Sequence, residues 1–71
     1  MSFRCVPSFM QNNHRVYEAS PLIFATIEEA SAFGKMMFVP AQTIEFWEVK
    51  RVELPVNYSY KKGKLARLNQ Q

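Results

Sequence analysis

The side chains able to do chemistry in this 71-residue chain are few and scattered. Cys5 is the only thiol and His14 the only imidazole, and there is no Asp. The six glutamates fall where helix caps and strand surfaces would use them, so no carboxylate pair is set up for acid–base work. One Cys and one His cannot make a zinc site. Gly34 and Gly63 stand alone, so no glycine-rich loop is present to cradle a phosphate. Cys5 follows Arg4 in a strand-like stretch and reads as a buried, inert thiol, because nothing positions a histidine beside it. His14 follows Asn12 and Asn13 and reads as a solvated loop residue. Catalytic residues, metal ligands and cofactors are therefore all expected to be none.

Binding chemistry is better represented. "EFWEVKRV", residues 45–52, mixes Trp47, Val49, Lys50 and Arg51 in one extended stretch. Ile44, Phe46, Val52 and Leu54 share one parity, while Trp47 and Val49 lie on the other. In a regular strand the two sets point to opposite faces. The first set is the natural inward one. Trp47, Val49 and Arg51 then form an outward row with Thr43, Glu45 and Glu53, and an exposed Trp beside an Arg is typical of interface anchors. A β-bulge near Trp47 would instead rotate the indole back into the core. Both readings follow from the same eight residues.

A second binding feature is electrostatic. Residues 1–60 carry five basic groups against six Glu, a balance of −1, whereas Lys61, Lys62, Lys64 and Arg67 give residues 61–71 a charge of +4. The basicity thus belongs to the C-terminal end. With Tyr58 and Tyr60 nearby, these cations could grip phosphates while the rings stack on bases. The plainer reading is a solvated, frayed terminus, with a short helix from about Lys64 that places Leu65 and Leu68 together.

The elements that must hold these residues follow from spacing. Thr26 and Glu29 make a capping box, and Glu28 and Glu29 put negative charge in the first helical turn. Ile27, Ala30, Gly34 and Met37, with Phe33 and Phe38 alongside, recur at helical spacing. Pro40 ends the helix. Gly34 costs about 0.5–1 kcal/mol against Ala, and its return is a close approach to a sheet. Residues 2–10 read as an edge strand tolerant of Pro7, residues 11–13 as a turn, 14–20 as a second strand and 43–54 as the longest one. "VNYSY", 56–60, reads as a short final edge strand.

The expected fold class is therefore α+β: an antiparallel sheet of three to four strands, ordered ββαβ with a short C-terminal strand, and one helix on one face. A single domain spans 1–60, followed by a basic, flexible tail at 61–71. The single cysteine and the absence of an apolar run near the roughly 18–20 residues of a membrane helix lead us to expect a complete, cytoplasmic protein.

One segment has a counterpart. "FATIEEASAFGKMMFVPAQTIEFWEVKRVELP", residues 24–55, runs from a short strand through a T-x-E-E-A helix and a V-P-A turn to a strand ending in E-V-K-R-V. It resembles the core of the small podophage inhibitors of host bacterial RNA polymerase, which dock on the jaw of that enzyme. The resemblance implies a non-enzymatic inhibitor that binds a host protein through strand-borne basic residues. Arg51 matches one of the family's strand arginines, but the second basic position falls on Glu53, which departs from the pattern.

Function is accordingly expected to be protein binding through Trp47, Val49, Lys50, Arg51, Tyr58 and Tyr60. The partner is another protein or a second copy paired along an open strand edge. The alternative is nucleic-acid binding through Lys61, Lys62, Lys64 and Arg67. In a third, purely structural reading Trp47 is buried and no face is recognisable.

Overall fold

The computed structural model describes residues 1–68. Five strands and one helix follow in the order β1 (Ser2–Gln11), β2 (His14–Tyr17), α1 (Ile27–Phe38), β3 (Phe46–Val52), β4 (Tyr58–Lys61) and β5 (Lys64–Arg67). The fold is α+β. A three-stranded antiparallel sheet of order β2-β1-β3 carries the helix on one face, and β4 and β5 form a separate two-stranded hairpin.

β1 is the central strand, not the edge expected from Pro7. The proline is accommodated because β2 is short. β2 pairs with Ser8–Gln11 and stops at Tyr17; beyond it, Glu18 still donates to the Pro7 carbonyl, but Pro7 has no N–H to return. The chain stays beside β1 without forming a regular ladder. Ser20 N–H donates to Cys5, and Phe3 and Phe24 exchange both backbone bonds. The β1–β2 turn needs no glycine, since Asn12 and Asn13 take φ of 51° and 65°. Two successive positive φ values match the primed turns whose twist suits a hairpin.

The helix begins as its sequence requires. Thr26 Oγ1 accepts from the Glu29 N–H at 3.1 Å, and the two side chains bond each other. Its inward face is narrower than the expected stripe: Glu29, Ala30, Phe33 and Gly34 are buried, while Ile27 and Met37 are exposed. The core consists of Cys5, Phe24, Ala30 and Phe33, with Phe3, Leu22, Phe38, Trp47, Val49, Tyr58 and Tyr60 packed around it.

The C-terminal basic stretch is neither a frayed tail nor a helix as far as Leu68. Lys62 and Gly63, at φ of 52° and 74°, make a second primed turn, and Lys64–Arg67 returns along β4. Asn69, Gln70 and Gln71 lie outside the described residues. The hairpin is attached by the Tyr58 and Tyr60 rings, which pack on the core, and by polar groups. Asn57 accepts from Ile23 N–H at 2.7 Å and donates to the Pro21 carbonyl, and the buried Glu29 carboxylate accepts from Tyr60 N–H at 3.0 Å. A helix-cap carboxylate thus also fixes the second sheet.

Gly34 has the role its position implies. A Cβ at this residue would fall within 2.7 Å of three carbons of the Trp47 ring. Gly34→Ala should therefore destabilise the fold by about 1–3 kcal/mol in urea titration, the usual cost of overpacking. Combined with Trp47→Leu, which removes the ring the methyl would strike, the two changes should cost less than the sum of each alone; a neutral Gly34→Ala would contradict the close packing.

Candidate functional site

The faces of the sheet can be assigned from β1. Cys5 Sγ donates to the Ala30 carbonyl, so Cys5 and the other odd residues of β1 face the helix. Their partners in β3 share that face: Arg51 opposite Phe3, Val49 opposite Cys5 and Trp47 opposite Pro7. This corrects the expected outward row. Trp47 lies against Gly34 and 6.0 Å from the Phe38 ring, and Val49 packs beneath the helix. Conversely Phe46, expected inside, is 41% exposed, and Leu54 is also exposed.

The register with β1 sets these faces through Phe46–Val52, and a bulge just before Phe46 separates Ile44 from the parity it was expected to share. Glu45 N–H donates to the Ser8 carbonyl at 2.9 Å, although Ser8 already stands opposite Phe46. Two consecutive residues of the third strand segment thus meet one residue of β1, and the alternation slips by one. The turn into β3, Ile44 to Trp47, lines one depression with Phe38 and Val39. Glu45 and Phe46 both meet Arg15 on the far side: Arg15 pairs with the Glu45 carboxylate and lies 5.0 Å over the Phe46 ring. The bulged reading of Trp47 is the one realised.

The face opposite the helix is built from even residues of β1 and β3 with Arg15 and Tyr17 of β2, and on it Ser2 and Ser8 are buried while Met10, Arg15, Tyr17, Phe46, Glu48 and Lys50 are exposed. At one end Phe46 is flanked by Tyr17, whose ring meets it edge-on at 6.2 Å, and by Arg15. Arg15 also donates to the buried Ser8 hydroxyl at 2.8 Å, which holds the guanidinium flat on the sheet. Met10, opposite Arg15, is exposed as well. Toward the other end stand Arg4 opposite Lys50 and Val6 opposite Glu48. Lys50 bonds Glu48 at 2.8 Å, and that carboxylate holds the ammonium above its usual range.

Of the residues expected to bind protein, only Lys50 projects from this face. Arg51 is exposed at the rim of the helix side. Tyr58 and Tyr60 are half-buried against the core, with the Tyr60 ring edge-on to Phe33 at 6.0 Å. They are not free platforms for bases. Lys61, Lys62 and Lys64 cluster at the hairpin tip, and Arg67 stands opposite Tyr58. Among the described residues no carboxylate pairs with any of these four cations.

Sequence reasoning missed Met10, Arg15, Tyr17 and Phe46. The alternation Arg15–Tyr17 beside a two-asparagine turn was a usable signal. It required knowing that Cys5, not Phe46, marks the inward parity.

No protein-family model, curated protein or solved structure matches the chain. No helix among the described residues is long and apolar enough to cross a membrane, and none of their His, Cys and Glu side chains assemble into a metal-binding group. His14 is exposed beside its turn, and Cys5 is enclosed.

Burial pushes the Cys5 thiol up to about 11 from 9.0, against a smaller opposing effect of the Gly34 backbone. The unfolded chain therefore loses this proton first, and the folded state holds more protons between those values. Stability should accordingly fall as pH rises from about 9 to about 11, by on the order of 2 kcal/mol from this group. The check is the difference in unfolding free energy between the protein and Cys5→Ala across that range. Parallel curves would refute it.

Proposed function

We propose that the protein is a non-enzymatic protein-binding module whose contact surface is the open face of the three-stranded sheet. The observation that carries this reading is the exposed Phe46 between Arg15, Tyr17 and Met10, on a face that the single helix leaves bare. Aromatic rings beside an arginine are the residue types that concentrate binding energy at interfaces. Arg15 is already oriented by Ser8 and Glu45, so little side-chain freedom is lost on contact. Lys50, Glu48 and Arg4 supply a polar surround. The fitting partner brings an apolar side chain onto Phe46 and Tyr17. Inhibition of a host protein, in the manner of the podophage proteins, is the finer form of the same proposal. It rests on the similarity of residues 24–55 and on Arg51, with Glu53 against it.

Phe46→Ser combined with Tyr17→Ser tests the reading. Both side chains lie outside the core, so the loss of their mutual contact and of the Arg15 contact should cost about 1–2 kcal/mol and leave the variant folded, which urea titration checks. Capture of a partner from the native host by the immobilised protein should be lost. Undiminished capture of the same partner by the double variant would sink the proposal.

A second reading is supported by the hairpin tip. Lys61 stands directly opposite Lys64, with Lys62 in the turn between them, and like charges across a strand pair are unfavourable unless an anion joins them. Because Tyr58 and Tyr60 face the core, contact with nucleic acid would run through phosphates alone. Binding to duplex oligonucleotides should then fall with salt at a log–log slope of about −3 to −4, the value for three or four phosphates. Replacing Lys61, Lys62 and Lys64 by Gln should abolish it. A slope near zero would exclude this use of the hairpin.

A further inference from the structure

The third strand has a free edge as well as a free face, and the backbone identifies which groups it presents. In β1 the odd residues turn their backbone groups away from β3: Phe3 bonds Phe24 in both directions, and the Cys5 and Pro7 carbonyls accept from Ser20 and Glu18. The even residues of β1 therefore bond β3, and through the register they bond Phe46, Glu48, Lys50 and Val52. The N–H and C=O groups of Trp47, Val49 and Arg51 are left pointing off the edge. β3 has only β1 as a strand neighbour, and no backbone partner for these groups is found among the described residues.

We propose that this edge pairs with its own copy, antiparallel and centred on Val49, so that two molecules form one continuous six-stranded sheet of order β2-β1-β3-β3-β1-β2. A two-fold axis at Val49 sets each residue opposite the one equally far on the other side of position 49. Glu48 then faces Lys50 of the second copy, and Lys50 faces its Glu48. Trp47 faces Arg51, Phe46 faces Val52, and Val49 faces itself. Each pairing is favourable by charge, cation–π contact or apolar contact.

The backbone phase permits this pairing, as it does any axis centred on a residue of β3, and the side chains choose among them. Val49 with Val49, and Trp47 with Arg51 twice, are the pairs whose outward groups can exchange bonds, so every free N–H and C=O along the edge is satisfied. Neighbouring centres do worse. An axis at Glu48, Lys50 or Arg51 sets like charges face to face, and one at Trp47 leaves Glu48 opposite Phe46. Charges on an edge strand ordinarily discourage pairing. Here their order, Glu48 then Lys50 about a central valine, makes the edge complementary to itself. The existing Glu48–Lys50 pair is exposed and is readily exchanged for the same pair between copies. The bonds of this pairing come from the odd residues of β3, but its Glu48–Lys50 and Phe46–Val52 pairs lie on the open face, which the assembly would present twice on the same side.

Sedimentation equilibrium on the full chain, with charge reversal, tests the proposal. The protein should show a concentration-dependent dimer. Glu48→Lys or Lys50→Glu alone places like charges opposite twice per dimer and should weaken association roughly tenfold or more. The double reversal E48K/K50E should restore it. Circular dichroism at a concentration below dimerisation verifies that each variant folds. Residue-resolved hydrogen exchange gives a second reading: amides of Trp47, Val49 and Arg51 should gain protection with concentration, whereas those of Phe46, Glu48, Lys50 and Val52 should be protected throughout. A monomer at all concentrations would overturn the proposal. So would a dimer indifferent to Glu48→Lys, or one in which the odd amides stay unprotected.

Discussion

The structure depends on a single close approach, that of the Trp47 ring to the backbone of Gly34. The indole occupies the place a Cβ would take, which allows the helix to lie near the sheet with Phe38 against the indole and Phe33 against Phe38. Trp47 reaches that contact because it stands opposite Pro7 in the register of β3 with β1, and the chain slips by one residue just before it, where Glu45 and Phe46 both meet Ser8. Alternation from that point sorts the side chains of the strand. Trp47 and Val49 go beneath the helix, while Phe46 comes out and is met by Arg15 and Tyr17. Core and candidate surface are two outcomes of one register.

With so few buried apolar residues, polar groups perform joining tasks that a larger domain would leave to packing. Ser2 is buried and its hydroxyl bonds the carbonyls of Val52 and Leu54, fastening the end of β3 to the start of β1. Asn57 and Glu29 attach the hairpin. Glu29 is the telling case. Its usual capping partner is the backbone at the helix start, yet here one oxygen meets the Thr26 hydroxyl and the other the Tyr60 amide. The carboxylate belongs to helix and hairpin at once, so removing it would expose donors on both.

How far the sequence could be read follows from which signals are local. Thr26, Glu29 and Pro40 set the helix limits within its own residues, and Gly34 announced a close neighbour without naming it. Turns at 11–13 and the α+β class were legible for the same reason. The faces of β3 were not. Parity counts assume an unbroken pleat, and the bulge carries no glycine to mark it. Pro7 misled in a similar way, because its missing donor is tolerated in a central strand where the neighbouring ladder has just ended. At the C-terminus four cations masked a hairpin: Lys62–Gly63 is a turn signal, but composition there reads as a solvated tail. In each case the deciding fact was a pairing between distant segments.

The side chains and the backbone of β3 look outward at different residues, and this bears on what any single substitution can reveal. Trp47, Val49 and Arg51 direct their side chains to the helix side while their amides and carbonyls face the open edge. Phe46, Glu48, Lys50 and Val52 do the reverse: their backbone groups are consumed by β1 and their side chains stand on the bare face. A change at Trp47 therefore acts first on the core, by removing the ring that rests on Gly34, and any loss of association it produces is inseparable from unfolding. Changes at the even positions leave the core and the ladder in place and alter only what a partner would meet. The aromatic residue most conspicuous in the sequence is thus the least informative place to look for binding, and Phe46 beside it the most direct.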